Sequence, residues 1–224
     1  MCFHPPAGSA LPAKLKPRPL WSVPGPGRSG DEARAHDGRC SAGHGAARSF
    51  RGLGFEGQGL AQLMKDLGLT RGGFYRHFAS KEDLYVEAVT RGFQEGADKM
   101  AAAAARAPRG KQLRAIIEHY LSVEHLEDPG GGCVLSTLAA EIARQRPAVR
   151  ARIDAARKSY RERLLPFCPG NDETEKRRQF MLLFPAMAGV LMTARTMTDP
   201  AARKETLAVA KRFYIRAFAG RNAK

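Results

Sequence analysis

A short run of basic, aromatic and glycine residues offers the most specific chemistry in this sequence. These residues are Arg71, Gly72, Gly73, Tyr75 and His77. An arginine at the start of a helix can make a bidentate hydrogen bond to guanine in the major groove of DNA, and glycines let a backbone approach the groove closely. The run therefore suits nucleic-acid recognition by one face of a short helix.

Two short helices joined by a tight turn are predicted to position these side chains. Apolar residues recur at helical spacing from Leu60 to Leu67, and Gly68 can take the left-handed conformation that ends a helix. Thr70 can then accept a hydrogen bond from the first amides of the next helix. That helix buries Phe74 and Phe78 and is too short to be stable alone, as in a helix-turn-helix.

Residues 54–89 closely resemble the DNA-binding domain of the TetR family of bacterial transcriptional regulators. GFEG, the LG-LT turn, the FYRHF core and the SKEDL helix start carry the resemblance, which extends loosely over residues 111–220. It implies an all-α fold, with an N-terminal three-helix helix-turn-helix DNA-binding domain followed by a helical ligand-binding and dimerisation domain. On periodicity alone, a helical hairpin inside another all-α domain would be an equal alternative.

The resemblance also assigns DNA contacts to particular residues. Base edges would be read at Arg71, Gly72 and Gly73, phosphates would be bound by Thr70, Tyr75, His77 and Lys81, and Gln58 would meet the backbone of the other strand. For each of them, a solvated surface residue without a function is the alternative.

Composition and charge limit the other classes of protein. The 224-residue chain is 43% apolar, which is enough for a packed core, and its net charge is +15. Residues 49–90 nevertheless carry as many acidic as basic side chains, so global charge does not locate a binding site. The longest apolar stretch, residues 180–194, is shorter than the about 20 residues of a membrane span. We expect a reduced, cytoplasmic protein without a membrane partner.

No sequence motif supports an enzyme active site or a cofactor-binding site. Two G-x-G-x-x-G stretches lack a preceding strand, there is no Walker loop or G-x-S-x-G, and Cys40 and His44 have no second ligand pair for zinc. We therefore expect neither a metal nor a cofactor and no catalysis. The alternative from another class is a helical enzyme or redox-sensing module that uses Cys133, which follows three glycines at a predicted helix start.

Three segments are predicted along the chain: residues 1–44, 45–92 and 93–224. The first is rich in Pro and Gly and is expected to be disordered, or to come from a wrong start site or shifted reading frame; a genuine DNA-touching arm is the alternative. Only residues 46–53 look helical where the family has a longer first helix. A regulator-like product that is impaired in DNA binding is therefore a further alternative. The second segment is the DNA-binding domain and the third is the helical body.

The body is predicted to consist of helices only. Their expected ranges are 81–106 after a Ser80 cap, 111–127, 133–145, 147–164, 173–197 and 205–219, with a break at the DPGGG of residues 128–132.

The family's body holds a small-molecule pocket and pairs its last two long helices in a dimer. Candidate pocket residues are Phe93, Ile117, His119, Tyr120, Leu121, His125 and Cys133. Residues 150–165 and 175–197 are the candidate dimer helices, with contacts at Phe180, Leu183, Phe184, Met187, Val190 and Leu191. For the pocket residues the alternative is plain core packing, and for the dimer residues it is an ordinary monomer core. The resemblance thus implies a repressor that binds a palindromic operator as a homodimer and is released by an unknown small-molecule effector. The alternative within DNA binding is an activator or a ligand-independent architectural protein.

Overall fold

The computed structural model describes residues 30–220, with side chains from Ala42 onward, and this part of the chain contains helices but no strand. The helices are α1 (Gly30–Gly57), α2 (Leu60–Asp66), α3 (Arg71–His77), α4 (Lys81–Arg106), α5 (Gln112–Tyr120), α6 (Val123–Glu127), α7 (Leu135–Arg144), α8 (Pro147–Leu164), α9 (Glu173–Thr196) and α10 (Pro200–Tyr214). A 3-10 turn (Leu165–Phe167) follows α8, and a π-helical turn (Ile215–Ala219) extends α10. The predicted all-α fold is confirmed.

The first helix begins well upstream of the predicted residues 46–53. Residues 30–44 are helical, so the expected disordered tail is wrong over this range, while residues 1–29 lie outside the described residues. Two glycines within this helix, Gly43 and Gly45, are positions of close approach to other parts of the chain. A Cβ on Gly43 would lie 3.2 Å from Glu87 Cγ, and one on Gly45 would lie 2.4 Å from Leu67 Cδ2. The longer first helix that seemed to be missing is therefore present.

One face of α1 is buried against the rest of the DNA-binding domain. Ala42, Ala46 and Phe50 recur every four residues on this face and are buried. Phe50 meets the ring of Tyr85 on α4 edge to face, with centroids 5.2 Å apart. Because most of these residues are small, α1 can lie close along α4, and α4 then continues into the body.

Helix α1 has a sharp break near its end, and a residue of the body holds this break in place. Gly54 has φ 78° and ψ 172°, which no residue inside a helix adopts. The amide of the next residue, Phe55, donates to Glu141 Oε2 of α7 at 2.7 Å. A Cβ on Gly54 would lie 2.3 Å from the other oxygen of that carboxylate. The break thus joins the DNA-binding domain to the body.

Alanine substitutions at two neighbouring glycines should have opposite effects on stability. Gly54→Ala adds a strained backbone and a contact with Glu141, so we expect the free energy of unfolding to fall by about 2 kcal/mol or more. Gly52→Ala adds a methyl to a helical position with nothing within 4 Å and should raise it by about 0.5–1 kcal/mol. Urea denaturation measures both, and equal changes would contradict this account.

Local signals account for the ends of most body helices. Ser80 Oγ accepts from the Asp83 amide at 3.1 Å, which confirms the predicted cap of α4. The predicted helix over 111–127 is wrong in one respect, because it divides into α5 and α6. Ser122 starts α6 by accepting from the amide of His125 at 3.2 Å. The last helix begins earlier than predicted, since Asp199 caps it and Pro200 occupies its first turn.

The long helix α4 is the centre of the molecule and packs against α1, α5 and α8. Its buried residues run from Leu84, among the aromatic rings of the DNA-binding domain, to Ala104 in the body. Among the described residues, no helix is both long and apolar enough for a bilayer crossing.

Candidate nucleic-acid interface and internal cavity

The turn between α2 and α3 has the predicted geometry. Gly68 has φ 65°, and the amide of Leu69 reaches back to the Met64 carbonyl at 2.8 Å. Thr70 Oγ1 accepts from the Gly73 amide at 3.1 Å and caps α3. Both predictions for this turn are confirmed, and they orient a seven-residue helix with its N-terminus outward.

The outer face of α3 presents the predicted DNA-reading side chains together. Phe74 and Phe78 are buried, with their ring centroids 5.6 Å apart, and anchor the helix from below. The residues on the opposite side are Thr70, Arg71, Gly72 and Tyr75, which are exposed, and Gly73 and His77, which are half-buried. A side chain at Gly72 would meet no atom within 4 Å, so this part of the helix is open to a partner.

Gln58 does not belong to this surface, and its predicted contact with a DNA backbone is wrong. Its side chain is 1% exposed, and its Nε2 is buried without a hydrogen-bond partner among protein atoms. The residue lies in the connection between α1 and α2, where it turns inward rather than outward. Sequence resemblance gave its position in the chain but not the direction of its side chain.

Lys81 has a structural partner that the sequence did not reveal. Its Nζ donates to the Phe55 carbonyl at 2.5 Å and lies 4.3 Å from the centre of the Phe55 ring. The ammonium group therefore ties the start of α4 to the end of α1. Lys81 is half-buried, so its predicted phosphate contact competes with this bond.

The body encloses a cavity of about 490 Å³ between α4, α5, α8 and the DPGGG loop. Five of the seven predicted pocket residues line it: Phe93, His119, Tyr120, His125 and Cys133. The other two, Ile117 and Leu121, are fully buried but do not line it, so their assignment is wrong. The prediction missed several lining residues, namely Gly92, Gly96, Lys99, Met100, Ser122, Glu124, Asp128, Gly131, Gly132, Val134 and Tyr160. The helical spacing of Gly92, Gly96, Lys99 and Met100 with Phe93 could have identified the α4 side.

His125 is held in one neutral tautomer at the cavity wall. Its Nε2 accepts from the Cys133 amide at 2.9 Å, so its Nδ1 must carry the proton that is donated to the Tyr120 carbonyl at 2.7 Å. Burial, above all, lowers the pKa of His125 from its ordinary 6.5 to about 4. Protonation at Nε2 would break the bond to Cys133 and loosen the wall.

The pH dependence of stability should report this histidine. Below pH 6.5 the unfolded chain binds a proton at His125, whereas the folded chain does so only near pH 4. The free energy of unfolding is therefore expected to decrease as the pH is lowered through this window. Urea titrations between pH 4 and 7 would measure the slope, which His125→Gln should flatten. An unchanged slope in that variant would exclude the assignment.

Cys133 lies at the cavity wall but not within a helix start as predicted. Helix α7 begins at Leu135, so Cys133 precedes its N-cap residue and its amide is already used by His125. Burial raises the pKa of Tyr120 well above its ordinary range, and the adjacent Cys133 adds to this effect. The other free cysteine among the described side chains, which begin at Ala42, is Cys168, and it is buried. A redox role of Cys133 stays a prediction.

The DPGGG loop connects the cavity to the DNA-binding domain. Arg48 of α1 makes two hydrogen bonds to the Asp128 carboxylate, at 2.9 and 3.1 Å. Arg51, one turn further on, donates from Nε to the Gly130 carbonyl at 2.6 Å. From the other side, Lys99 Nζ of α4 reaches the Gly131 carbonyl at 2.7 Å. A change in this loop therefore acts directly on α1.

The predicted dimer contacts are wrong for most of the residues named. Phe180, Leu183, Phe184, Met187 and Leu191 are buried within this chain, and Val190 is half-buried. Helix α8, one of the two predicted dimer helices, packs on α4 with its buried residues, and its place in a dimer stays a prediction. Five of the large apolar residues that are exposed among the described residues lie on α9 and α10: Met181, Leu182, Met192, Val209 and Phe213. We call this set the outer apolar face.

Comparison with known proteins agrees with both halves of this architecture. The family described as "Bacterial regulatory proteins, tetR family" matches residues 44–88, and "Tetracyclin repressor-like, C-terminal domain" matches residues 110–167. The search of curated proteins gives no match.

Solved structures share the fold at low sequence identity. A TetR transcriptional regulator from Chloroflexus aurantiacus has a TM-score of 0.64 and 23% identity, covering 82% of this chain and 96% of that one. A TetR-family regulator from Cytophaga hutchinsonii has 0.65 and 18%, covering 85% and 98%. AibR, solved with isovaleryl coenzyme A and operator DNA, has 0.53 and 17%, covering 79% and 97%. With both family matches and this fold, the chain belongs to the TetR family of DNA-binding transcriptional regulators.

Proposed function

We propose that this protein is a repressor whose affinity for an operator is lowered by a small molecule in the body cavity. The observation that carries the proposal is the direct hydrogen bonding of α1, in the DNA-binding domain, to the loop that walls the cavity. Arg48 and Arg51 make these bonds to Asp128 and Gly130. A ligand that moves the loop has to move or strain α1, and α1 positions the reading helix.

The operator is read by α3 in the major groove. Arg71 contacts base edges, Gly72 and Gly73 allow close approach, and Thr70, Tyr75 and His77 bind the phosphates on either side. One short helix recognises few base pairs, so a two-fold dimer with two reading helices, about 34–36 Å apart or somewhat more, binds a palindromic site. Lys81 makes a smaller contribution to phosphate binding, because its ammonium group also donates to the Phe55 carbonyl and so supports α1.

Dimerisation uses the outer apolar face of α9 and α10. Its side chains are large and exposed, with Met181 at 61% and Phe213 at 54% exposure. A patch of this kind on two adjacent helices marks an interaction surface more often than a solvated one. Pairing with the same face of a second copy gives the two-fold symmetry that a palindromic operator requires.

The effector occupies the cavity of about 490 Å³. This volume is typical of sites for small organic molecules, and AibR, which shares the fold, was solved with isovaleryl coenzyme A. Binding of effector and operator are reciprocally coupled: a ligand that prefers the DNA-free geometry weakens DNA binding by the same factor as DNA weakens its own. A regulator of this kind acts in the cytoplasm, where the genome is.

A gel-shift titration against the DNA upstream of the protein's own gene tests the proposal. We expect selective binding relative to scrambled DNA of the same length, with affinity that falls steeply as salt rises, by about 0.9 log unit per log unit of salt for each phosphate bound. Equal affinity for both DNAs at every salt concentration would contradict operator recognition.

A further inference from the structure

Arg51 is a buried guanidinium with one nitrogen left without a partner. The residue is 6% exposed. Its Nε donates to the Gly130 carbonyl at 2.6 Å and its Nη2 to Glu95 Oε2 at 2.8 Å. Its Nη1 is buried and has no hydrogen-bond partner among protein atoms. A buried donor of this kind is costly to leave unsatisfied, so an acceptor that reached it would bind strongly.

The unpartnered nitrogen lies directly behind the wall of the cavity. A Cβ built on Gly92 would be 2.4 Å from Arg51 Nη1 and 2.5 Å from Val134 Cγ2. Gly92 and Val134 both line the cavity. Because residue 92 has no side chain, Nη1 and the Val134 methyl both approach the space that a Cβ would fill.

The charges around this wall favour an anion. At the cavity-lining His125, Arg195 donates to the His125 carbonyl at 2.7 Å and also to Ser136 Oγ at 2.9 Å. No carboxylate among the described side chains accepts from Arg195. Glu95, in contrast, is shared by Arg51 and the His44 ring, whose Nδ1 lies 2.7 Å from the carboxylate. Two guanidinium groups therefore bond to segments that line the cavity, and one carboxylate, Glu95, pairs with the first of them.

The other charged groups at the cavity do not reverse this balance. Asp128 is neutralised by Arg48 at 2.9 Å. Lys99 and the exposed Glu124 are of opposite sign. The remainder of the lining near Gly92 is apolar or aromatic, with Phe93, Met100 and Tyr160 prominent. A ligand that fits has an apolar body and a single oxyanion.

We infer that the effector is an apolar carboxylic acid, and that its carboxylate binds Nη1 of Arg51 through the gap at Gly92. The inference rests on the proposed function and adds the chemical class of the ligand and the residue that recognises it. Arg51 belongs to α1, so the DNA-binding domain itself contacts the effector. The acid would then draw Arg51 away from Gly130, which links ligand binding to the position of α1 in one step.

Calorimetric titration of the full-length protein with acids and their matching alcohols tests this inference. The probes are octanoic, decanoic and 3-phenylpropanoic acid, each compared with the primary alcohol of the same carbon skeleton. A charge-assisted hydrogen bond to a buried arginine predicts a preference of about tenfold or more for at least one acid over its alcohol. Absence of any preference in the wild-type protein would overturn the inference.

Two variants remove the proposed carboxylate-binding site in different ways. Arg51→Gln removes the guanidinium, and Gly92→Ala places a methyl where Nη1 is approached; each should abolish the preference for acids. Gly96→Ala adds the same methyl to the same cavity, 3.8 Å from the nearest Tyr160 atom, and should weaken acid and alcohol alike with their ratio kept. If Arg51→Gln does not fold by circular dichroism, Gly92→Ala decides. A folded form of either variant that keeps the preference overturns the inference.

Gel shifts separate this inference from the proposed function. Selective operator binding without any acid preference would refute the carboxylate and leave the regulator intact. Acid binding that depends on Arg51, with no selective DNA binding, would support the carboxylate site and refute the proposed operator recognition.

Discussion

Replacing Arg71 with alanine is expected to remove most of the selectivity of this protein for its operator. Arg71 is exposed at the N-terminal end of α3, where the Thr70 cap and the buried Phe74 fix the helix. A bidentate arginine contact discriminates the correct base by about 1–3 kcal/mol in each half-site. With two half-sites in a dimer, operator affinity should fall by roughly a hundredfold, whereas affinity for unrelated DNA should fall much less.

Arg76→Ala is the matched control for this substitution. Arg76 is exposed on the same helix but lies at its C-terminal end. Its removal takes away the same charge without a base contact, so operator and scrambled DNA should be weakened alike and only through the salt-dependent term. Gel shifts at two salt concentrations measure the affinity of each variant for the operator and for scrambled DNA. Equal loss of selectivity in both variants would show that charge, rather than the position of Arg71, is responsible.

A glutamate in place of Met181 is expected to prevent dimerisation and, with it, operator binding. Met181 and Leu182 lie on the outer apolar face and are 61% and 57% exposed in the single chain. In a two-fold pair of this face, an unpaired carboxylate would be buried at the contact, which costs several kcal/mol. A monomer engages one half-site only, so operator affinity should drop by at least about a hundredfold.

Ala155→Glu provides the comparison, because Ala155 is exposed on α8 and is not part of the outer apolar face. Analytical ultracentrifugation should find a dimer for the wild type and Ala155→Glu and a monomer for Met181→Glu. Circular dichroism should be the same for all three, since neither side chain is part of the core. A dimeric Met181→Glu would place the interface elsewhere on the chain.

Local rules explain why the helix-turn-helix could be predicted from sequence. The left-handed Gly68, the Thr70 cap and the Ser80 cap each depend on atoms a few residues away in the chain, and all three have the expected geometry. The burial of Phe74 and Phe78 follows from the same helical period. Nothing from the distant body is needed to define these elements.

The wrong predictions concern residues whose structure depends on contacts with distant parts of the chain. Helix was predicted only over residues 46–53, and glycine is a poor helix former, but α1 tolerates Gly43 and Gly45 since Glu87 and Leu67 pack where side chains would be. Gln58 was assigned by its place in the chain, yet its side chain is buried. Single-sequence patterns carry no information on these tertiary contacts.

The dimer contacts failed for a related reason. From Phe180 onward, helix α9 is apolar on almost every side. The helical periodicity of its sequence therefore does not predict which residues face the core of the same chain. The residues at 180, 183, 184, 187 and 191 form the inner stripe, and the residues at 181, 182 and 192 lie outside it. The cavity was predicted better, because most of its candidates belong to the segment around one marked break, the DPGGG loop.

The fastening of α1 to the body has a consequence for the construction of hybrid regulators. A designer who exchanges DNA-binding domains between two such proteins would cut the chain near residue 92, where the sequence predicts a boundary. In three dimensions this cut separates Arg48 from Asp128, Arg51 from Gly130 and the Phe55 amide from Glu141. A functional hybrid should therefore carry its own segment 128–141 with the DNA-binding domain, so that the transplanted unit is a spatial one rather than a continuous stretch of chain.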